Sequence, residues 1–259
     1  MMKQALYLIS LCFLSLNLNA EAVEEMAFAT DPWPPYFLEG QSGDINAGIG
    51  YQIVSEIFAL IPGVNATFPK VPWKRALLEV EQGVKDSIAL LLKNDERAKY
   101  MRFTHPVMQS PAWMYYNRER FPDGYEWNNV NDFEGLRLGV VRGYVYGEPL
   151  DSYIANAKEN VFEVTTSKQL FSMLQRQHID LVPENTSVAN DIVKTQDWRQ
   201  QLGHAAKVVN TDILFIGISK KSKFVSLIPR LNDAIQMMRM SGRIDQITGT
   251  SGKSIAPFE

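Results

Sequence analysis

Two hydrophobic periods alternate along the chain. Ala27-Phe28-Ala29-Thr30 predicts a short strand. Asp31-Pro32-Trp33-Pro34-Pro35 stops it, because three prolines in four residues fit neither a helix nor a central strand. Ile49, Ile53, Ile57 and Phe58 then fall on one face of a helix over residues 48–61. A strand at 66–68 and a helix from Pro72 to Val80 follow; Trp73, Leu77 and Val80 form the helix stripe and Gly83 ends it. Residues 87–92 read as a buried strand. The pattern then repeats. Strands are expected at 136–141, 179–183 and 213–218, with helices at 167–177, 188–195 and 227–240. Thr166 with Gln169 forms a capping box before the first of these helices. On the last, Leu227, Leu231, Ile235 and Met238 make one stripe and Gly242 ends it. Met237, Met238 and Met240 are expected there as core filling.

Strands alternating with helices at this spacing define an α/β protein with mostly parallel sheets, and the repetition argues for two lobes. The segment between them, Ala112-Trp113-Met114-Tyr115-Tyr116, is apolar and aromatic where a floppy linker would be rich in Gly and Ser. An ordered strand crossing between the lobes is the expectation, and ordered crossings are what a hinge needs.

The 259 residues carry a formal net charge of −3, so no basic face is expected for nucleic acid. Lys3, the apolar run 5–18 and the small-residue sites at Ala20 and Ala22 form the pattern of a secretory signal peptide over residues 1–20. Cleavage after Ala20 or Ala22 removes Cys12, the one cysteine, and with it any disulfide, thiol nucleophile or thiolate metal site. His105, His178 and His204 are far apart and have no partners at metal-ligand spacing, so neither a metal nor a cofactor is expected. Gly249-Thr250-Ser251-Gly252-Lys253-Ser254 imitates a phosphate loop, but Ile247 stands where a glycine is required; it reads as a flexible tail.

Several short stretches occur in one order: Ala29-Thr30-Asp31 with Pro34-Pro35-Tyr36, the Gly48 turn into a helix, and Trp73 opening the next. Asp95-Glu96-Arg97 follows, then Arg102-Phe103-Thr104-His105-Pro106 and Asp132-Phe133-Glu134-Gly135-Leu136-Arg137-Leu138-Gly139-Val140 with Arg142-Gly143. Asp180-Leu181-Val182 and Phe215-Ile216-Gly217-Ile218-Ser219 complete the series. Together, over roughly residues 27–247, they resemble the family 3 solute-binding proteins, periplasmic receptors of polar amino-acid uptake systems. The resemblance implies a two-lobed periplasmic-binding-protein fold of type II, with lobe 1 from residues 23–113 and 214–259 and lobe 2 from 114–213. Two crossing strands would join the lobes, with the ligand in the cleft between them. It further implies a monomer located in the periplasm, which delivers a small-molecule ligand to a membrane ABC permease or, alternatively, reports it to a membrane sensor. A dehydratase-like enzyme on the same scaffold is a third reading, in which Glu184 would serve as acid or base.

Arg97 lies where members place a guanidinium that grips the ligand carboxylate, for which a planar fork suits better than Lys. The alternative is a surface pair with Glu96 or Asp95. Trp73 stands where an aromatic ring stacks on the ligand, or else it packs in the core. Arg75 beside it presents a cation to the cleft or solvates the helix face. Asp31 either accepts from a ligand ammonium or caps the proline-rich turn; Trp33 and Tyr36 are expected as cleft walls. Arg142 and Gly143 follow a strand end, where N–H groups and a guanidinium either meet an anion or form an ordinary turn. Where many members carry an Asp for the ligand α-ammonium the chain has Asn185, preceded by Glu184, and where they carry a Thr it has Leu92. A buried ammonium without an anion is unfavourable, so Glu184 or Asp31 supplies one, or the ligand is not an ordinary α-amino acid.

Overall fold

The computed structural model describes residues 23–250. The leader read at residues 1–20 lies outside them, as does the end of the tail read at 249–254. In chain order come β1 (Glu24–Ala27), β2 (Leu38–Glu39), β3 (Ile45–Ala47), α1 (Ile49–Ala59), β4 (Val64–Thr67) and α2 (Trp73–Gln82). Next are β5 (Ser87–Leu92), α3 (Asp95–Tyr100), β6 (Met101–Phe103), β7 (Met108–Asn117), β8 (Leu138–Val141), α4 (Leu150–Asn156) and β9 (Val161–Val164). The last are α5 (Ser167–Gln175), β10 (Leu181–Asn185), α6 (Thr186–Gln196), β11 (Leu202–Ser219), α7 (Ile228–Met240) and α8 (Arg243–Thr248).

The main sheet runs β5-β11-β7-β10-β8-β9, with β6 also paired to β11. Its far side is parallel, β10 with β8 and β8 with β9, as expected of strands joined by helical crossovers. On the near side β1 and β4 pair in parallel, and a bridge from Phe28 to Ser87 ties them to β5. Between the two, β7 and β11 run antiparallel from Leu202 opposite Asn117 to Leu214 opposite Met108. Beyond Leu214, β11 continues against β5 and β6. One long pair of strands thus passes from each lobe to the other, and the boundaries expected from the sequence, 113/114 and 213/214, fall inside β7 and β11. The fold is the two-lobed α/β architecture expected.

Helix boundaries follow the sequence signals closely. Gly83 closes α2 in the left-handed conformation, and Thr166 and Gln169 form the capping box of α5. α1 buries Ile53, Val54, Ile57 and Phe58, against Met26 and Phe28 of the first lobe. In α2 the stripe is turned: Ala76 and Val80 are buried, while Trp73 and Leu77 are only partly covered. Of the three methionines of α7 only Met238 is buried; Met237 and Met240 face solvent, because α7 lays Leu231, Ala234 and Ile235 on the core and those two fall on its outer side. Asp180, at the start of β10, is buried and takes a two-pronged ion pair from Arg137, with Nη2 to Oδ1 at 2.8 Å and Nε to Oδ2 at 3.0 Å. That pair anchors the strand that carries Glu184 and Asn185.

Candidate functional site

The end of β5, the loop after β1, the N-termini of α2 and α3, the 144–146 loop, the end of β10 and the middle of β11 surround one cavity. Its unfilled space, open mouth included, is about 780 Å³. β5 bends where it forms the wall: the register against β11 breaks at Leu90, whose φ of 55° marks the bulged residue.

Arg97 reaches this cavity from the first turn of α3. Asn94 caps that helix, its Oδ1 accepting from the Arg97 N–H at 2.9 Å. The side chain is 5% exposed, and its guanidinium lies 5.3 Å from the Trp73 ring. Nη1 donates to the Leu92 carbonyl at 2.6 Å and Nη2 to the Gly143 carbonyl at 3.3 Å. Burial pushes this group down to about 10, yet it remains charged at neutral pH, with unused N–H donors. Leu92 thus serves the guanidinium through its backbone.

The Gly143 carbonyl is shared. Trp73 donates to it from Nε1 at 2.9 Å, so one acceptor of the second lobe takes two donors from the first. Gly143 sits at φ 82°, a conformation side chains rarely adopt, and an added Cβ would lie 3.4 Å from Lys74 and 3.5 Å from Trp73. Three further contacts cross between lobes: Tyr36 donates its hydroxyl to Asn185 Oδ1 at 3.0 Å, and Trp33 and Trp73 each meet Tyr144 edge-on, with centroids 6.4 Å and 5.6 Å apart. The lobes are shut upon each other.

Inside the shut cleft stand three carboxyl groups. Burial raises Asp31 to about 6, against which Lys70 pulls down. Burial also raises Glu184 to about 7, in spite of the nearby Ser167 side chain and the hydrogen bond from the Asn185 N–H, and Asp212 raises it further. Asp212 itself is lifted by burial to about 7, with the amides of Asn185 and Asn210 pulling the other way. Trp33, Trp73, Tyr144 and Tyr146 supply aromatic walls.

Of the residues singled out from the sequence, Arg97, Trp73, Asp31, Glu184 and Asn185 line the cavity together. Tyr36 stands behind the wall, fully buried, holding Asn185; Gly143 takes part through its carbonyl. Arg142 and Arg75 are elsewhere: both are exposed, paired with Glu163 at 2.9 Å and Glu79 at 2.6 Å. Asp212, Tyr144 and Tyr146 escaped the sequence reading. Asp212 carried a signal, a carboxylate between Val208-Val209 and Ile213-Leu214 in a strand, where a charge needs a reason.

A two-lobed α/β scaffold with a largely apolar, aromatic-walled cavity between its lobes, bearing a few charged groups, is the architecture of the solute-binding proteins. The chain belongs to the bacterial extracellular solute-binding proteins, family 3, whose model matches residues 26–250. Comparison with curated protein sequences gives no match. Among solved structures, a histidine kinase sensor domain with similarity to periplasmic binding proteins is 15% identical, with a TM-score of 0.75 over 92% of this chain and 99% of that one. An ABC uptake transporter substrate-binding protein from Streptococcus pneumoniae with bound histidine is 16% identical, with a TM-score of 0.72 over 90% and 94%. An ancestral arginine-binding protein bound to arginine is 19% identical, with a TM-score of 0.69 over 88% and 97%. At such identities the likeness is one of fold.

Proposed function

We propose that this protein captures a small polar solute, an amino acid or a related carboxylate or amine, in the cleft between its lobes. It delivers that solute to an ABC-type permease, working as an exported periplasmic monomer that binds without catalysis. The observation that carries the reading is a cavity to which both lobes contribute charged or polar side chains, Arg97 and Asp31 from one, Glu184 and Asn185 from the other. A ligand that touches both lobes favours the shut form by its differential contacts, and the shut form is what a membrane partner would recognise. A second reading, a sensing subunit that reports the ligand to a membrane signalling partner, is supported by the similarity to a kinase sensor domain. It shares the ligand-binding step.

The test has two stages. A thermal-shift screen of the purified protein against amino acids, amines and organic acids should give stabilisation by one chemical class, through mass action. Uptake of that compound, labelled, by cells lacking the gene should then fall; intact uptake together with a lost transcriptional response would favour sensing. If no compound in any class shifts the melting temperature, the cleft reading is lost.

A further inference from the structure

Five consecutive residues of β5, Ile88 to Leu92, line the cavity, where a regular strand would present only alternate ones. The bulge at Leu90 is the cause. Its φ of 55° breaks the alternation, so that Ala89 and Leu90 both join the core around α1, while Ile88 and Leu91 join the core beneath α2. A leucine in the left-handed region is strained, and such strain persists where the surroundings impose it. What the bulge yields is a continuous aliphatic wall, to which Leu214 of β11 adds. Asp31, Arg97, Glu184 and Asp212, the charged side chains of the lining, all come from other elements.

Helix α1 backs this wall. Gly50, in its first turn, faces Leu90 and Phe37, and an added Cβ would lie 2.7 Å from Leu90 Cδ1 and 2.7 Å from Phe37 Cζ. Gly50 is inside a helix, so it serves by its lack of a side chain, at some cost to helix stability. Leu90 and Phe37 lean on it from one side and line the cavity on the other, each 3% exposed. The space in front of them therefore depends on their lying back against Gly50. Rings from both lobes complete the lining: Trp33 and Trp73 each meet Tyr144 edge-on, and Tyr146 lies beside Tyr144 with centroids 6.4 Å apart.

Resting on the reading of this cavity as the ligand site, we propose that the ligand is a carboxylate with an aromatic body, and that Gly50 is a positioning residue that sets the room for that body in front of Leu90 and Phe37. Burying such a body takes apolar surface of ligand and wall from water together, and ring against ring adds edge-on contacts. A polar side chain of similar length would lose its water against leucines that offer it no hydrogen bond. The β5 wall thus selects against polar bodies, whatever holds the charged end. Two kinds of compound share this chemistry, an aromatic amino acid and the corresponding acid without its amino group.

Isothermal titration calorimetry on the full mature chain tests this, with phenylalanine, 3-phenylpropionate, glutamine and arginine as probes and weak binding read by competition. The tighter of the two aromatic probes is expected to bind at least about tenfold more tightly than glutamine or arginine, and it identifies the amino acid or the deaminated acid as the source. Gly50→Ala should push Leu90 and Phe37 into the cavity and weaken that probe about tenfold or more. Glutamine should lose less, so the aromatic-to-glutamine affinity ratio falls at least about fivefold, which a general loss of stability would not produce. Leu92→Asn, at a half-buried place in the same wall, is the second variant should the first fail to fold, with the same fall in ratio expected. Glutamine or arginine binding as tightly as the better aromatic probe would overturn the proposal and leave the cleft reading intact. Failure of both aromatic probes, or an unchanged ratio in a folded Gly50→Ala, would overturn it as well.

Discussion

At the scale of single residues the three cavity acids set a sign for the pH dependence of stability. Asp31, Glu184 and Asp212 are raised from 3.8, 4.5 and 3.8 to about 6, 7 and 7, mainly by burial. Over that interval the folded chain holds more protons than the unfolded one, so the stability they allow is fully present at acid pH and is lost as pH rises through the folded values. Without ligand, the melting temperature should therefore be lower near pH 8 than near pH 5. Glu184→Gln removes one of the three groups. Scanning calorimetry should place that variant above the wild type at about pH 8 and close to it at about pH 5; equal midpoints at both would show that the Glu184 charge is not held in a desolvated place. Arg97 and Trp73 were legible as cavity-lining residues mainly through the family resemblance, to which a planar fork and a large ring with a donor at one edge are suited. Asp212 was harder to read. Alternation within a strand gives two faces, and only the packing of β11 against β7 decides which of them looks into a cavity. Arg142 shows the converse: its place after β8 was right for the cleft, but the side chain turns outward to Glu163 while its neighbour's carbonyl does the closing.

At the scale of elements the legible signals were local ones. The capping box at Thr166 is a case: its hydroxyl accepts from the Gln169 N–H at 3.3 Å, and the Gln169 side chain accepts from the Thr166 N–H at 3.2 Å. Thr166→Ala should lower stability in urea by about 1 kcal/mol, the usual worth of a cap, with no change in ligand affinity. Gly48, ahead of α1, should be far less tolerant. Its φ is 108° and an added Cβ would lie 2.4 Å from the Tyr36 carbonyl oxygen, a backbone atom that cannot swing away. Gly48→Ala should lose about 2 kcal/mol or more, and because Tyr36 holds Asn185 the same variant should bind ligand more weakly. A urea midpoint for Gly48→Ala no lower than that for Thr166→Ala would contradict this account. Other elements were invisible along the chain. β11 is 18 residues long, but its first half, Leu202 to Asn210, mixes Gly203, Lys207 and Asn210 with apolar residues and has no clean period. Pairing with β7, far away in sequence, makes it a strand.

At the scale of the whole molecule, function depends on a balance between open and shut lobes that few contacts decide. The hinge is continuous strand, β7 and β11, so opening leaves the cores of both lobes intact and breaks what crosses the cleft. Those crossings include the two donors on the Gly143 carbonyl, the Tyr36–Asn185 hydrogen bond and the ring contacts of Trp33 and Trp73 with Tyr144. Each is worth about 1 kcal/mol, so each shifts the open-to-shut ratio about fivefold, and a ligand needs only modest differential contacts to dominate. Trp73→Phe isolates one of them. It keeps an aromatic ring against Tyr144, whose centroid lies 5.6 Å away, and removes the N–H that holds Gly143. The unliganded variant should show a larger radius of gyration in small-angle scattering than the wild type, and a saturating solute should bring the two together. The apparent affinity should fall about fivefold, by the loss of the binding-competent fraction, and stability at a fixed saturating concentration should fall by the same ~1 kcal/mol, lowering the melting temperature by about 2–4 °C for a chain of this size. If the variant scatters like the wild type and binds as tightly, the indole N–H has no part in closure, and the charged residues within the cleft hold the lobes together by themselves.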